Sequence, residues 1–341
     1  MIKEIRMATL FSQDPGPVET VYFGGGTPSL LTPGELQQLF TALHRKFRIS
    51  EDAEITFEAN PDDITPDILD QWKKLGINRL SLGVQSFREN ELEWMNRAHH
   101  AVESKDCIQR IRDAGFSNFS ADLIYGSPLC ADDDLKYNLD VLFEAGVPHV
   151  SCYALTVEPK TALDNMIRQH RSQPVDPEKQ AGQFLLLMDL MNSNGYEHYE
   201  ISNFSVPGMR SLHNSSYWQG KAYYGFGLSA HSFDGTGTRR WNVANNSLYI
   251  QSLQKGLVPF EEEVLTPVQQ LNEYIMISLR TIEGLDMQLI QKRFGSGYAE
   301  QLDSSAKKHI DSGKLFTAES RLKLTREGKL FADGIAADLF F

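Results

Sequence analysis

The sequence predicts an α/β protein built on a parallel sheet, with one functional face. Two observations carry this. Short β-type runs alternate with helix patterns at a spacing of about 30 residues, the signature of repeated βα units. Glycine and polar residues collect where those runs end, whereas the helix-to-strand turns are plain. In a parallel sheet the carboxyl ends of the strands are where ligands bind.

The β-type runs are ETVYF near 20–24, AEITFEAN at 53–60, NRLSLGVQSF at 78–87, NFSADLIYG at 118–126 and HVSCYALT at 149–156. Helix patterns at 33–47, 65–75, 101–115 and 132–145 separate them. Thr32-Pro33 and Thr65-Pro66 read as a capping residue followed by proline at the first helical position. Gly76, Gly115 and Gly146 read as helix ends. Before the first run, MIKEIRMATLF reads as an amphipathic helix. After about residue 160 a polar stretch, 164–180, leads to the apolar helix QFLLLMDLMNSNGY, then to an aromatic and glycine-rich region, 196–249. From Thr266 the pattern is three helices, a hairpin at KLFTAESRLKLT and a last helix, a winged-helix-like order. Residues 264–341 hold ten Lys or Arg and ten Asp or Glu. That balance favours packing or partner docking over DNA binding.

Composition narrows the function classes. The 341 residues are 41% hydrophobic, ample for a large core. The net charge of −12 disfavours non-specific binding to nucleic acid or anionic lipid. No run of about 18 apolar residues is present, so no membrane insertion is expected. Cys107, Cys130 and Cys152 are too few and too dispersed for a disulfide framework or a CxxC metal knuckle. They read as free thiols, and a cytoplasmic location is the expectation.

The candidate site residues sit at the strand ends. Gly24, Gly25 and Gly26 are three where a tight βα turn needs one. They could cradle phosphate, but no P-loop lysine follows. They could instead bind an amino acid's ammonium and carboxylate through backbone groups. Glu58 in FEANP could pair with a ligand ammonium or ribose hydroxyl; read alone, it could equally complement a helix N-terminus. Gln85 and Asp122 repeat the arrangement on later strands. Asp122 lies between apolar residues of a strand expected to be buried on both faces, where a carboxylate is costly without partners. Arg97 in MNRAHH could meet a ligand carboxylate, or could end a solvated helix. In HNSSYW, His213, Asn214, Tyr217 and Trp218 fall within six residues. They could hold a flat macrocycle with imidazole as ligand, or form an aromatic cluster around a hydrogen-bonded histidine. His231 in LSAHSF carries the same two readings.

Taken together, YFGGGTPSLL, EITFEANPDDIT, GINRLSLGVQSF, NRAHH and FSADLIYGSP resemble, in order and spacing, the radical S-adenosylmethionine (SAM) proteins related to oxygen-independent coproporphyrinogen III oxidase. HYEISNFSVPGMRSLHNSSYWQGKAYYGFGLSAHSF resembles the haem-chaperone branch, HemW, which HNxxYW distinguishes. The resemblance implies a partial (βα)6 barrel over 1–163, an extension carrying HNxxYW over 164–263 and the small winged-helix-like module over 264–341. It places Gly25, Gly26 and Thr27 at the methionyl end of SAM, with Glu58, Gln85, Arg97 and Asp122 on the rest of it. It makes His213 the first candidate for haem contact, with Tyr217 and Trp218 beside it, and implies a client haemoprotein. The family also binds a [4Fe–4S] cluster through CxxxCxxC after the first barrel strand. Neither that strand nor that motif is in the 341 residues, and the spacing of the three cysteines does not replace it. The expectation is a chain that begins in the helix after them, binds SAM and haem, and performs no radical chemistry as it stands. Competing readings are a coproporphyrinogen oxidase-like radical enzyme and a degenerate barrel acting only in protein interaction.

Overall fold

The computed structural model describes residues 1–9 and 16–341. Helix α1 (Ile2–Met7) occupies the start of the expected amphipathic helix, and Leu10 and Phe11 at its end lie outside the described residues. Strand and helix then alternate: β1 (Val18–Phe23), α2 (Pro33–Lys46), β2 (Ile49–Ala59), α3 (Pro66–Lys74), β3 (Arg79–Gln85), α4 (Glu89–Trp94), α5 (Ala101–Asp113), β4 (Phe119–Tyr125), α6 (Asp132–Glu144) and β5 (His149–Ala154). The capping signals act as the sequence implies. The Thr32 hydroxyl accepts from the Glu35 amide while Glu35 reaches back to the Thr32 amide, and Thr65 accepts from Ile68.

Helices α7 (Ala162–Arg168) and α8 (Pro177–Ser193) follow, then strands β6 (Glu197–Glu200) and β7 (Asn203–Ser205). The polar stretch 164–180 thus overlaps α7, whose first turn is capped by the Thr161 hydroxyl accepting from the Asp164 amide. The seven-stranded sheet has the order β1-β2-β3-β4-β5-β7-β6. Strands β2 to β5 run parallel, and β7 returns antiparallel to both β5 and β6. This curled parallel sheet is the half-barrel that the sequence leads one to expect.

Register decides which side chains share a face. Glu58, Ser81, Ser120, His149 and Ser205 are successive partners across five strands and stand in one polar layer. Asp122 and Ser151 pair in the next layer, with Asn203 opposite Ser151. The alternate positions Ala59, Leu82, Ala121, Val150 and Phe204 form an apolar layer on the other face, all at most 5% exposed. Trp72 of α3 packs on the neighbouring Phe57 with ring centres 4.7 Å apart. Asp122 is therefore not enclosed by apolar groups on both sides, as its strand's sequence suggested. The sheet is two-faced, and Asp122 belongs to the polar face.

The described chain divides into two compact units, Val21–Leu31 with Glu54–Ser211, and Met1–Thr20, Thr32–Ala53 with Leu212–Phe341. The second contains α9 (Leu212–Trp218), a three-stranded sheet of β8 (His231–Phe233), β9 (Thr238–Asn242) and β10 (Phe260–Val264), and α10 (Asn246–Gln254). It also contains α11 (Pro267–Leu279), β11 (Leu285–Asp286), α12 (Met287–Phe294), α13 (Ser296–Asp311), β12 (Leu315–Ala318), β13 (Arg321–Leu324) and α14 (Ala332–Asp338). Strand order β11-β13-β12 makes the small wing of the winged-helix-like module. Its core is Leu271, Ile275, Ile290, Leu302, Leu322 and Ile335, each at most 2% exposed. Glu4 of α1 is buried as well, accepting from the Gly227 amide (2.9 Å), the Asn242 amide group (2.5 Å) and the Tyr249 hydroxyl. No described helix is long and apolar enough to cross a membrane.

The capping box of α2 is exposed, so its contribution can be measured in isolation. Thr32→Ala is expected to cost about 1 kcal/mol. Thr32→Asp, which restores the acceptor, should recover most of it in the same chemical denaturation experiment.

Candidate functional site

Strand β1 ends at Phe23, and the three glycines that follow do different work. A Cβ on Gly24 would lie 2.5 Å from the Tyr22 ring and 2.8 Å from a Glu58 carboxylate oxygen. Gly24 is small because its own neighbours need the room. Gly25 and Gly26 have φ of +74° and +77° and face open space. Backbone at these two positions adopts a conformation that side chains resist, and it stays uncovered.

Glu58 ties this turn to β2. One oxygen accepts from the Tyr22 hydroxyl (2.7 Å), the other from the Gly25 amide (3.2 Å). Burial, then the Glu58 charge, pushes the Tyr22 phenol well above its ordinary value. Tyr22 therefore stays a donor. Thr27 follows, half-buried, at the start of a 3-10 turn, Pro28–Leu30, and Ser29 donates to Asp63 (2.5 Å).

The third group comes from β3 and the segment after α4. Arg97 is not a solvated helix end. Its Nη2 donates to Asn60 Oδ1 (3.1 Å) and to the Gly83 carbonyl (3.2 Å). Its Nε is buried with no hydrogen-bond partner. Gly83 makes this possible. A Cβ there would stand 3.2 Å from both the Arg97 guanidinium and the Gln85 amide, and 3.5 Å from Asn60. Gln85 closes β3 at φ +68°, where the register with β4 slips. Tyr22, Asn60 and Gly83 escape motif reasoning. An isolated glycine inside a strand pattern is a signal that could have found Gly83.

Asp122 completes the face. Burial pushes its carboxyl up to about 7, and the Glu58 charge adds to the rise. The Ser151 hydroxyl, Arg79 and Arg97 act in the opposite direction. Arg79 lies within the same unit, 2% exposed, 4.0 Å from Glu54 and donating to Asn118. Burial lowers its pKa, while Glu54 raises it. The structure thus brings Gly25, Gly26, Glu58, Gln85, Arg97 and Asp122 to neighbouring strand ends of one sheet. Their chemistry is an exposed backbone cradle, two carboxylates and a guanidinium with a spare donor. The unpartnered Arg97 Nε and the open Gly25-Gly26 backbone fit a small ligand carrying both ammonium and carboxylate.

HNSSYW lies in the other unit, as helix α9. His213 Nδ1 meets the Thr20 hydroxyl (2.8 Å) and its Nε2 meets the Tyr217 hydroxyl one turn on (3.1 Å). Tyr217 packs edge-on against His213 and against Tyr223, with centroids at 5.0 and 4.8 Å. Burial lowers the His213 pKa to about 4, so the ring is neutral at physiological pH. The Arg280 guanidinium stands over the Trp218 ring at 5.5 Å, and the buried Trp218 Nε1 has no hydrogen-bond partner. His231 is exposed and stacks on Trp241. Cys107, Cys130 and Cys152 are buried, with burial pushing all three thiols up, Cys107 to about 12. No group of three metal-ligating side chains is found among the described residues.

Residues 3–142 match the model of the radical SAM superfamily, and residues 265–331 that of the HemN C-terminal domain. The chain is 35% identical over 324 residues to the heme chaperone HemW of Bacillus subtilis, covering 93% of this chain and 84% of that one. The chain belongs to the HemW family. It is 32% identical to the HemW of Lactococcus lactis, over 91% of this chain and 82% of the relative. With the HemW of Escherichia coli it shares 35% identity over 63% of this chain and 56% of that protein. The fold matches that of the radical SAM enzyme coproporphyrinogen III oxidase (HemN) from Escherichia coli. The TM-score is 0.81 at 22% identity, over 95% of this chain and 78% of that one. HemW-type sequence therefore accompanies the half-barrel and the HemN-type C-terminal module in one chain.

The raised Asp122 pKa has a consequence for stability. The folded protein keeps the proton up to about pH 7, whereas the ordinary carboxyl loses it near 3.8. Asp122 therefore destabilises the fold increasingly as pH rises through that window. Asp122→Asn should raise the melting midpoint at pH 8 and leave it nearly unchanged at pH 3.5. An equal shift at both pH values in thermal melts would show that Asp122 is not desolvated.

Proposed function

We propose that this chain is a haem chaperone, holding haem and passing it to a client haemoprotein, with a SAM site on the half-barrel. The single observation that carries the haem reading is the state of His213. A haem ligand must present a neutral imidazole, and burial keeps this one neutral far below physiological pH. The Thr20 hydroxyl at Nδ1 orients the ring, as a group on the other nitrogen does for metal-ligating histidines. Nε2 meets the Tyr217 hydroxyl of the same helix at 3.1 Å, an interaction that ligation can exchange. Tyr217 and Trp218 supply aromatic surface beside it. The HemW names of the relatives support the same reading.

On the half-barrel, Gly25, Gly26 and Thr27 would take the methionyl end of SAM. Glu58 would meet the ammonium, the spare Arg97 Nε a carboxylate, and Gln85 and Asp122 the remainder. SAM supplies a sulfonium that one electron from a [4Fe–4S] cluster can cleave. The three cysteines of this chain are not assigned to such a cluster. They stand on α5, before α6 and within β5, each buried as a neutral thiol. The equal numbers of basic and acidic residues in the C-terminal module fit a protein partner better than nucleic acid.

Hemin titration tests the first part. His213→Ala should abolish or shift the Soret band of bound hemin. Tyr217→Ala and Trp218→Ala should weaken binding and keep the band position. An unchanged spectrum with a lower melting midpoint for His213→Ala would leave the histidine a packing residue, and His231 would be examined next.

Calorimetry with SAM tests the second part. Glu58→Gln keeps the shape and removes the charge. It should weaken SAM binding by about tenfold, the worth of a charge-assisted hydrogen bond. Equal affinity would make Glu58 a brace for Tyr22 and Gly25 only.

A further inference from the structure

Behind the strand ends lies a buried polar cluster that the site described above does not use. Ser86, Glu91 and Asn138 are each at most 1% exposed. The Ser86 hydroxyl donates to Glu91 Oε2 and accepts from the Arg88 amide (3.0 Å) and from Asn138 Nδ2 (3.1 Å). Asn138 Nδ2 also reaches Glu91 Oε2 (3.5 Å), and its Oδ1 accepts from the Phe87 amide (2.8 Å). The buried Cys130 thiol adds a contact to Glu91. The second carboxylate oxygen, Oε1, is buried with no partner. A buried carboxylate with no cation on it and one orphaned oxygen is a cost to the fold. Stability alone does not account for it.

Its place in the fold does. Ser86 directly follows Gln85, the residue at φ +68°. Such a conformation in a non-glycine persists only where the surroundings over-determine it. Here they do. The Ser86 amide donates to the Val84 carbonyl (2.9 Å), His99 Nε2 donates to that same carbonyl (3.0 Å), and Ser86, Phe87 and Arg88 are all tied to Glu91 and Asn138 directly or through one another. Glu91 also belongs to α4, whose end sets Arg97. The Arg97 amide donates to the Leu92 carbonyl and the Met95 amide to the Glu91 carbonyl, both at 2.9 Å.

We infer that Glu91 is a positioning residue: through Ser86 it holds Gln85 in its left-handed conformation, and through α4 it holds Arg97 at the strand ends. The link to ligand binding rests on the SAM reading above, whereas the clamp on Gln85 does not.

Two measurements separate the clamp from that reading. In thermal melts, Gln85→Gly relieves the backbone strain and should raise the midpoint of the parent protein by about 2 °C. In a Glu91→Ala background the turn can relax by itself, so the same substitution should give no gain. An equal gain in both backgrounds overturns the clamp. In calorimetry with SAM, Glu91→Ala should weaken binding by about tenfold. Glu91→Gln, which keeps an acceptor for Ser86, should stay close to the parent. The Glu91→Ala penalty should shrink once Gln85 is glycine, leaving only the part that acts through α4 and Arg97. A Glu91→Ala protein that melts lower but binds SAM like the parent overturns the positioning role. If Glu91→Ala does not fold, Asn138→Ala takes its place in both cycles with the same expectations. A parent that does not bind SAM at all overturns the SAM reading instead, and the melts still decide the clamp.

Discussion

The site depends on strand parity. In a parallel sheet every second side chain faces the same side, and in-register neighbours stand in layers across the strands. Here one face takes the helices and carries leucine, alanine, valine and phenylalanine. The other carries Glu58, Ser81, Ser120, His149 and Ser205 in one layer and Asp122 and Ser151 in the next. A slip of one residue in β2 or β4 would drive a carboxylate under a helix and an apolar group onto the polar face. The register that lets the helices pack is therefore the register that assembles the site.

Charges gathered on one face must answer one another. Glu58 is answered by the Tyr22 hydroxyl and the Gly25 amide, so the acid that marks the site also holds its glycine turn. Asp122 has weaker compensation, and desolvation keeps its proton up to about pH 7. Arg97 spends Nη2 on Asn60 and Gly83 and leaves Nε unpartnered. The face is thus pre-arranged but not fully satisfied, the condition of a site that completes its hydrogen bonds with a ligand.

The HNSSYW helix follows a different logic. His213 and Tyr217 are four residues apart, so one helical turn stacks them, and their hydrogen bond is local. The bond to Thr20 is not local, since it joins residues 193 positions apart in the chain. Burial then removes the imidazole's positive charge from the physiological range. Local spacing supplies the pair, and the tertiary setting supplies the protonation state.

Much of this was legible in the sequence. Alternating β runs and capped helices marked the βα units, since periodicity and capping are local properties of the chain. The resemblance of five motifs and HNSSYW to the radical SAM proteins and their haem-chaperone branch agrees with the family to which the chain belongs. Glu58, Gln85 and Asp122 were recognisable as candidates because polar groups recur at the ends of apolar runs, Gly25 because three glycines exceed what a turn needs, and Arg97 as a charge in MNRAHH. Tertiary structure decided what the pattern left open. It showed that Gly24 yields to Tyr22 and Glu58 whereas Gly25 and Gly26 are uncovered. It placed Asp122 on a polar face, brought Arg97 back onto Asn60 and Gly83, and buried Glu91 behind Gln85. Each of these depends on contact between residues distant in sequence. Such contacts, and the desolvation that shifts a pKa, follow from how the strands and helices pack, which no local pattern encodes.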